Sequence, residues 1–131
     1  MARTRVLIVD DEASTRLAIR ELLDVSGYEP VEAASGAEGL AKAGALLTDL
    51  ILLDVMMPGL DGYEVCRRLK ANPRTAAIPV IFLTAVMDNR LNRLAYDAGA
   101  AACIVKPFRN DALVAVIEAA IASPEREATP P

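Results

Sequence analysis

The sequence predicts an α/β domain, a doubly wound parallel sheet of five strands with helices on both faces. Three observations carry that prediction. Short apolar runs alternate with longer stretches of helical periodicity, in the order βαβαβαβαβα, and this alternation calls for parallel strands joined by crossover helices. The runs around Val6-Leu7-Ile8-Val9, Leu50-Ile51-Leu52-Leu53 and Val80-Ile81-Phe82-Leu83 are continuously apolar, as strands covered on both faces should be. Of the 131 residues 53% are apolar, enough for one domain with a real core, yet no run approaches the ~18 residues of a membrane span.

Each element has a local reason. The strand candidates are Arg5–Asp10, Tyr28–Ala33, Asp49–Leu53, Pro79–Leu83 and Ala102–Lys106; Pro79 can open a strand because the first position needs no ladder donor. The first helix, Ser14–Val25, carries Ile19, Leu22 and Leu23 on one stripe and stops at Ser26-Gly27. Ser35-Gly36-Ala37-Glu38 reads as a capping box that opens the second helix. Asp61-Gly62-Tyr63-Glu64 reads as a second box, ahead of Val65, Cys66 and Leu69, and Asn72-Pro73 ends that helix. Asp88 caps a fourth helix bearing Leu91, Leu94, Ala95 and Ala98, which Gly99 terminates. The fifth, about 110–122, places Leu113, Val116, Ile117, Ala120 and Ile121 on one side. The domain therefore spans 1–122, and the polar, Pro-rich residues 123–131 read as a disordered tail or the start of a linker.

Composition excludes several functions. A net charge of −4 and five aromatic residues (three Tyr, two Phe) argue against a nucleic-acid binder. With no histidine there is no Ser-His-Asp triad, no His-ligated zinc and no phosphohistidine within this sequence, so histidine chemistry has to come from a partner. Met1-Ala2-Arg3-Thr4-Arg5 leads straight into a strand, without the pattern of a signal peptide. Cys66 and Cys103 sit in apolar surroundings and read as reduced core thiols, consistent with a cytoplasmic protein that does not enter membranes.

Open α/β sheets place their sites beyond the carboxyl ends of the strands. Four of those ends carry polar groups here: Asp10-Asp11, Asp54, Thr84 and Lys106. Gathered carboxylates repel one another, so a cation should hold them, most simply a hard divalent metal such as Mg²⁺.

The pieces Val9-Asp10-Asp11-Glu12, Leu53-Asp54-Val55-Met56-Met57-Pro58-Gly59-Leu60-Asp61-Gly62, Leu83-Thr84-Ala85 and Val105-Lys106-Pro107-Phe108 resemble the receiver domain of bacterial two-component response regulators, the chemotaxis regulators among them. The resemblance covers residues 4–122 and implies a flavodoxin-like (βα)5 fold with strand order 2-1-3-4-5. It implies that Asp54 accepts a phosphoryl group from a sensor histidine kinase or a histidine phosphotransfer protein. Asp11, Asp54 and the backbone carbonyl of Met56 would bind Mg²⁺, with Mn²⁺ a possible substitute, and Asp10 would act through a metal-bound water. Lys106 would pair with Asp54, Thr84 would bond the arriving phosphoryl group, and the Lys106-Pro107 bond would be cis. The resemblance also implies a downstream protein or fused output domain as partner, and a possible homodimer through helix 4, strand 5 and helix 5.

The sequence departs from that family at Cys103, where an aromatic is usual and swings inward with the threonine; Cys103 and the Thr84-Ala85 step are therefore expected to shape how the output face switches. Met56 and Val86, each two residues past a site residue, are poorly suited to orient an attacking water, so the phosphoryl group is expected to hydrolyse slowly. Glu12 reads as solvated, and Arg67, Arg68 and Lys70 as a solvated basic face. Two other functions compete. A Mg²⁺-dependent phosphohydrolase with an Asp nucleophile often carries a second Asp two residues on, where Met56 stands. A flavodoxin-like FMN binder needs a Ser/Thr/Gly-rich loop after strand 1, where acids would repel the phosphate.

Overall fold

A computed structural model of the chain describes residues 3–85 and 89–122. Five parallel strands, β1 (Arg5–Val9), β2 (Glu29–Ala33), β3 (Leu50–Asp54), β4 (Val80–Thr84) and β5 (Ala102–Val105), form one sheet in the order β2-β1-β3-β4-β5. Five helices follow them in turn: α1 (Ala13–Val25), α2 (Gly36–Ala45), α3 (Gly62–Ala71), α4 (Asn89–Asp97) and α5 (Asn110–Ile121).

The period of two along each central strand splits the core into two layers. Val6, Ile8, Leu50 and Leu52 face α1 and α5 and pack with Ile19, Leu23, Leu113 and Ile117. Leu7, Val9, Ile51 and Leu53 face the other way, with Ala43 of α2, Val65, Cys66 and Leu69 of α3, Ala95 of α4 and Ala98 just past its end. Both layers are dry, which is why the central runs are apolar without alternation. Among the described residues no helix is long and apolar enough to cross a membrane.

Several boundaries differ from expectation. β3 and β4 each begin and end one residue later than the apolar runs suggest. Asp49 lies outside β3 and uses its carboxylate to accept the Arg5 N–H at 2.8 Å, while Pro79 has no N–H and contributes only its carbonyl, to Ile51 N. Asp54 and Thr84 are therefore the last residues of their strands. The first box is made with a shift: Ser35 Oγ accepts the Glu38 N–H, but the Glu38 carboxylate reaches back to the N–H of Ala34. In the second only half forms. Asp61 accepts the Glu64 N–H at 2.9 Å, and the Glu64 side chain turns away to pair with Arg67 and Arg68. Lys70 is not on a solvated face: its stem lies beside Gly99 and its ammonium donates to the carbonyls of Ala76 and Ile78, closing the end of α3. Asp88, Val86, the side chain of Leu91 and residues 123–131 lie outside the described residues.

Candidate functional site

The site lies at the carboxyl edge of β1, β3, β4 and β5, and its anchor is Asp10. β1 ends at Val9, and Asp10 follows with no exposed surface at all. A charge so placed needs partners on every side. Asp10 N donates to Ala33 O at 3.1 Å. Its Oδ1 accepts the Glu12 N–H at 2.9 Å, its Oδ2 accepts Lys106 Nζ at 3.0 Å, and its backbone carbonyl accepts Arg16 Nη1 at 2.7 Å.

Asp54 ends β3 beside it. The loop that follows is pinned where it leaves the strand: Val55 N donates to Leu83 O and Gly62 N donates to Val55 O. Gly62 approaches so closely that a Cβ there would stand 2.5 Å from the Asp54 carbonyl oxygen. Asp54 Oδ1 accepts the Met56 N–H at 3.4 Å and lies 3.6 Å from Lys106 Nζ. Burial, then the charge of Asp10 and more weakly that of Asp11, hold the Asp54 carboxyl above its usual pKa, against the pull of Lys106 and the Met56 N–H. Burial alone would lower the Lys106 ammonium, but its bond to Asp10 and the charges of Asp10 and Asp54 together hold it above its ordinary value.

Asp10, Asp11 and Asp54 each offer a carboxylate oxygen within 4.8 Å of the others. Three acids with one ammonium in reach leave an excess of negative charge, and their donors are all hard oxygens. That set fits a hard divalent cation that keeps several waters. Thr84, buried, closes the rim at the end of β4, and its carbonyl accepts the Lys106 N–H at 2.6 Å. The Lys106-Pro107 peptide is cis. Ala85 follows Thr84 and is exposed; Met56 is also exposed, so the thioether points to solvent. Cys103 is half-buried on β5, opposite Phe82 and against the core layer that holds Cys66; both are free thiols.

Lys106 pairs with both acids, at 3.6 Å from Asp54 and at 3.0 Å from Asp10. The sequence reading quoted Gly62 without its contact to Asp54 and did not single out Arg16, because neither a close backbone approach nor a side-chain bond to a carbonyl leaves a mark in periodicity.

Residues 6–118 match the family model described as response regulator receiver domain. The chain is 37% identical over 122 residues to the DNA-binding dual master transcriptional regulator RpaA of a Synechocystis strain, covering 93% of this chain and 51% of that one. It is 46% identical over 106 residues to the response regulator PleD of Caulobacter vibrioides, covering 79% of this chain and 23% of that one. The chain thus spans about half or less of the length of these relatives. In the solved structures, a putative response regulator from Chloroflexus aurantiacus superposes with a TM-score of 0.88 at 34% identity, over 94% of this chain and all of that one. From its first strand to within its last helix, the chain belongs to the response regulator receiver domain family of two-component signalling.

Proposed function

We propose that Asp54 accepts a phosphoryl group from the phosphohistidine of a sensor histidine kinase or a histidine phosphotransfer protein. The observation that carries this reading is the meeting of three carboxylates within 4.8 Å, with Lys106 Nζ 3.6 Å from Asp54. An Asp54 oxygen forms the new bond to phosphorus while the bond from phosphorus to the partner's histidine nitrogen breaks, and the imidazole leaves with that electron pair. Lys106 counters charge on the transferred oxygens, at the cost of loosening its hold on Asp10. The Thr84 hydroxyl donates to a phosphoryl oxygen once the group has arrived. Asp11, Asp54 and the Met56 carbonyl would hold Mg²⁺, or Mn²⁺ in its place, and Asp10 would support the site without binding the metal directly. The bound cation supplies charge neutralisation and orientation of the phosphoryl oxygens.

The chain is a switch and not a turnover enzyme on small metabolites. The residue two positions after Asp54 is an exposed methionine, which offers no general acid. The added charge shifts a two-state equilibrium through Thr84, Ala85 and Cys103, and changes contacts with a downstream protein or a fused output domain. A pair formed through α4, β5 and α5 and a cytoplasmic setting belong to the same proposal. The domain itself makes no contact with nucleic acid, in keeping with its net charge of −4. Incubation with acetyl phosphate and Mg²⁺, followed by mass analysis, tests the reading. The wild type should gain one phosphoryl group, and the Asp54→Asn variant and a chelator-treated sample should gain none. A wild type that stays unmodified, or a variant modified equally well, overturns it.

A further inference from the structure

Asp11 is the least supported acid of the cluster. It is exposed, and among the described residues no hydrogen bond or ion pair holds its carboxylate. The backbone on either side therefore fixes where its Cα–Cβ bond points, and with it the region the carboxylate can reach. The peptide after it carries the Glu12 N–H, which donates to Asp10 Oδ1 at 2.9 Å. The peptide before it carries the Asp10 carbonyl, which accepts Arg16 Nη1 at 2.7 Å. A peptide unit is planar and turns as a whole, so fixing that carbonyl fixes the plane from the Asp10 Cα to the Asp11 Cα.

Arg16 is itself anchored. Its side chain is only 16% exposed, and its Nε donates to Glu32 Oε1 of β2 at 3.2 Å. The other Glu32 oxygen takes Arg20 Nη1 at 3.3 Å. One planar guanidinium thus joins β2 to the Asp10-Asp11 peptide just past the end of β1, and a fork of fixed geometry suits that task.

We propose that Arg16 is a positioning residue for the acid pocket: anchored on Glu32, it holds the Asp10 carbonyl, orients the peptide that carries Asp11, and so sets the affinity of the three carboxylates for a divalent cation. This rests on the reading that those carboxylates bind such a cation. The sign of the effect separates positioning from charge. Arg16 is a cation, so by Coulomb's law alone its removal strengthens the binding of Mg²⁺. Positioning predicts the reverse.

Calorimetric titration of the metal-free chain with Mg²⁺ at fixed ionic strength tests the proposal. Arg16→Met, which keeps the bulk of the stem, should weaken binding roughly tenfold, the low end for a residue that orients a metal ligand. Arg16→Lys should recover part of that loss, since an ammonium can reach one of the two partners but does not bridge both as the fork does. An unchanged or tighter dissociation constant in Arg16→Met overturns the proposal, including the case in which only its thermal midpoint falls. If Arg16→Met does not fold, Arg16→Gln, which likewise removes the cation, decides on the same criterion. A wild type that does not bind millimolar Mg²⁺ sinks the underlying reading as well, an outcome distinct from wild type and variants binding alike.

Discussion

β3 and β5 deliver the two groups that meet at the centre of the site, Asp54 and Lys106, and the two strands are held by different means. β3 lies inside the sheet between β1 and β4, and all five of its residues are buried. Its exit is pinned by backbone bonds and by the close approach of Gly62. β5 is an edge strand, paired with β4 alone, and each of its four residues is only half-buried. What fixes the end of Lys106 is charge: 3.0 Å to Asp10 and 3.6 Å to Asp54. Asp54 is thus set by packing and the Lys106 ammonium by electrostatics, which suits the proposed transfer, in which the first would receive the phosphoryl unit and the second would follow it.

The difference is broken most directly by deleting side chains from each strand. Leu52 is fully buried, and Leu52→Ala should cost about 3–4 kcal/mol in guanidinium unfolding. Ile104, half-buried on β5 against the same core layer, should cost about half as much on truncation to Ala. Equal losses would show that the edge strand is as firmly packed as the centre.

A slightly smaller effect sharpens the point at the β3 exit. A Cβ at position 62 meets the Asp54 carbonyl oxygen at 2.5 Å, the Val55 Cα at 2.9 Å and the Phe82 ring at 3.0 Å. Two of those are backbone atoms, which do not swing aside. Gly62→Ala should therefore destabilise the chain by about 2–3 kcal/mol, read from the shift in denaturation midpoint. A cost near zero would mean that the loop after Asp54 is free to move.

The electrostatic side is probed by neutralising Asp54. The Asp54 pKa is held above its ordinary 3.8 by burial and then by the Asp10 charge. For a group raised in this way, the linked stability is complete below the ordinary value and is lost as pH rises through the folded one. In chelator the wild type should thus lose stability relative to Asp54→Asn as the pH climbs from 4, with the variant ahead by about 1 kcal/mol at pH 7, the low end for like charges ~4 Å apart. Saturating Mg²⁺ should remove or reverse that advantage. Unfolding curves across pH, with and without the metal, check both statements.

Much of this was legible in the sequence, and the gaps have a common physical cause. Continuous apolar runs marked β1, β3 and β4 because burial on both faces removes the alternation that would confuse a strand with a surface segment. The acids stood out because Asp10-Asp11 and Asp54 end such runs. Pairing that depends on distant geometry was hidden. Lys106 is far from both acids in the sequence, and only the folded geometry brings it 3.0 Å from Asp10 and 3.6 Å from Asp54. Glu64 has the spacing of a capping box, yet two arginines one turn on compete for it. Arg16 finds Glu32 across 16 positions, and helical periodicity carries no trace of that.

The two cysteines give the smallest test of the same comparison, since each reports on one kind of packing. Cys66 on α3 is fully buried above the central strands, and its Sγ donates to the Ala98 carbonyl at 3.3 Å. Burial pushes its thiol from an ordinary 9 up to about 11. Cys103 on the edge strand is also raised by burial, but it is half-exposed to its surroundings. The thiolate is the reactive form, so a buried thiol with so high a pKa should resist alkylation at pH 8 while the edge thiol reacts. Iodoacetamide labelling followed by peptide mapping should find Cys66 modified at least about tenfold more slowly than Cys103 in the native state, with the two rates converging in denaturant. Above pH 9 the unfolded chain gains by ionising Cys66 while the folded chain does not, so stability should fall toward pH 11. Replacing Cys66 by Ala should flatten that slope, and replacing Cys103 by Ala should flatten it less. Comparable labelling of both thiols in the folded protein would mean that the layer over β3 opens as readily as the β5 edge, and the contrast between packing and charge at the two strands would lose its basis.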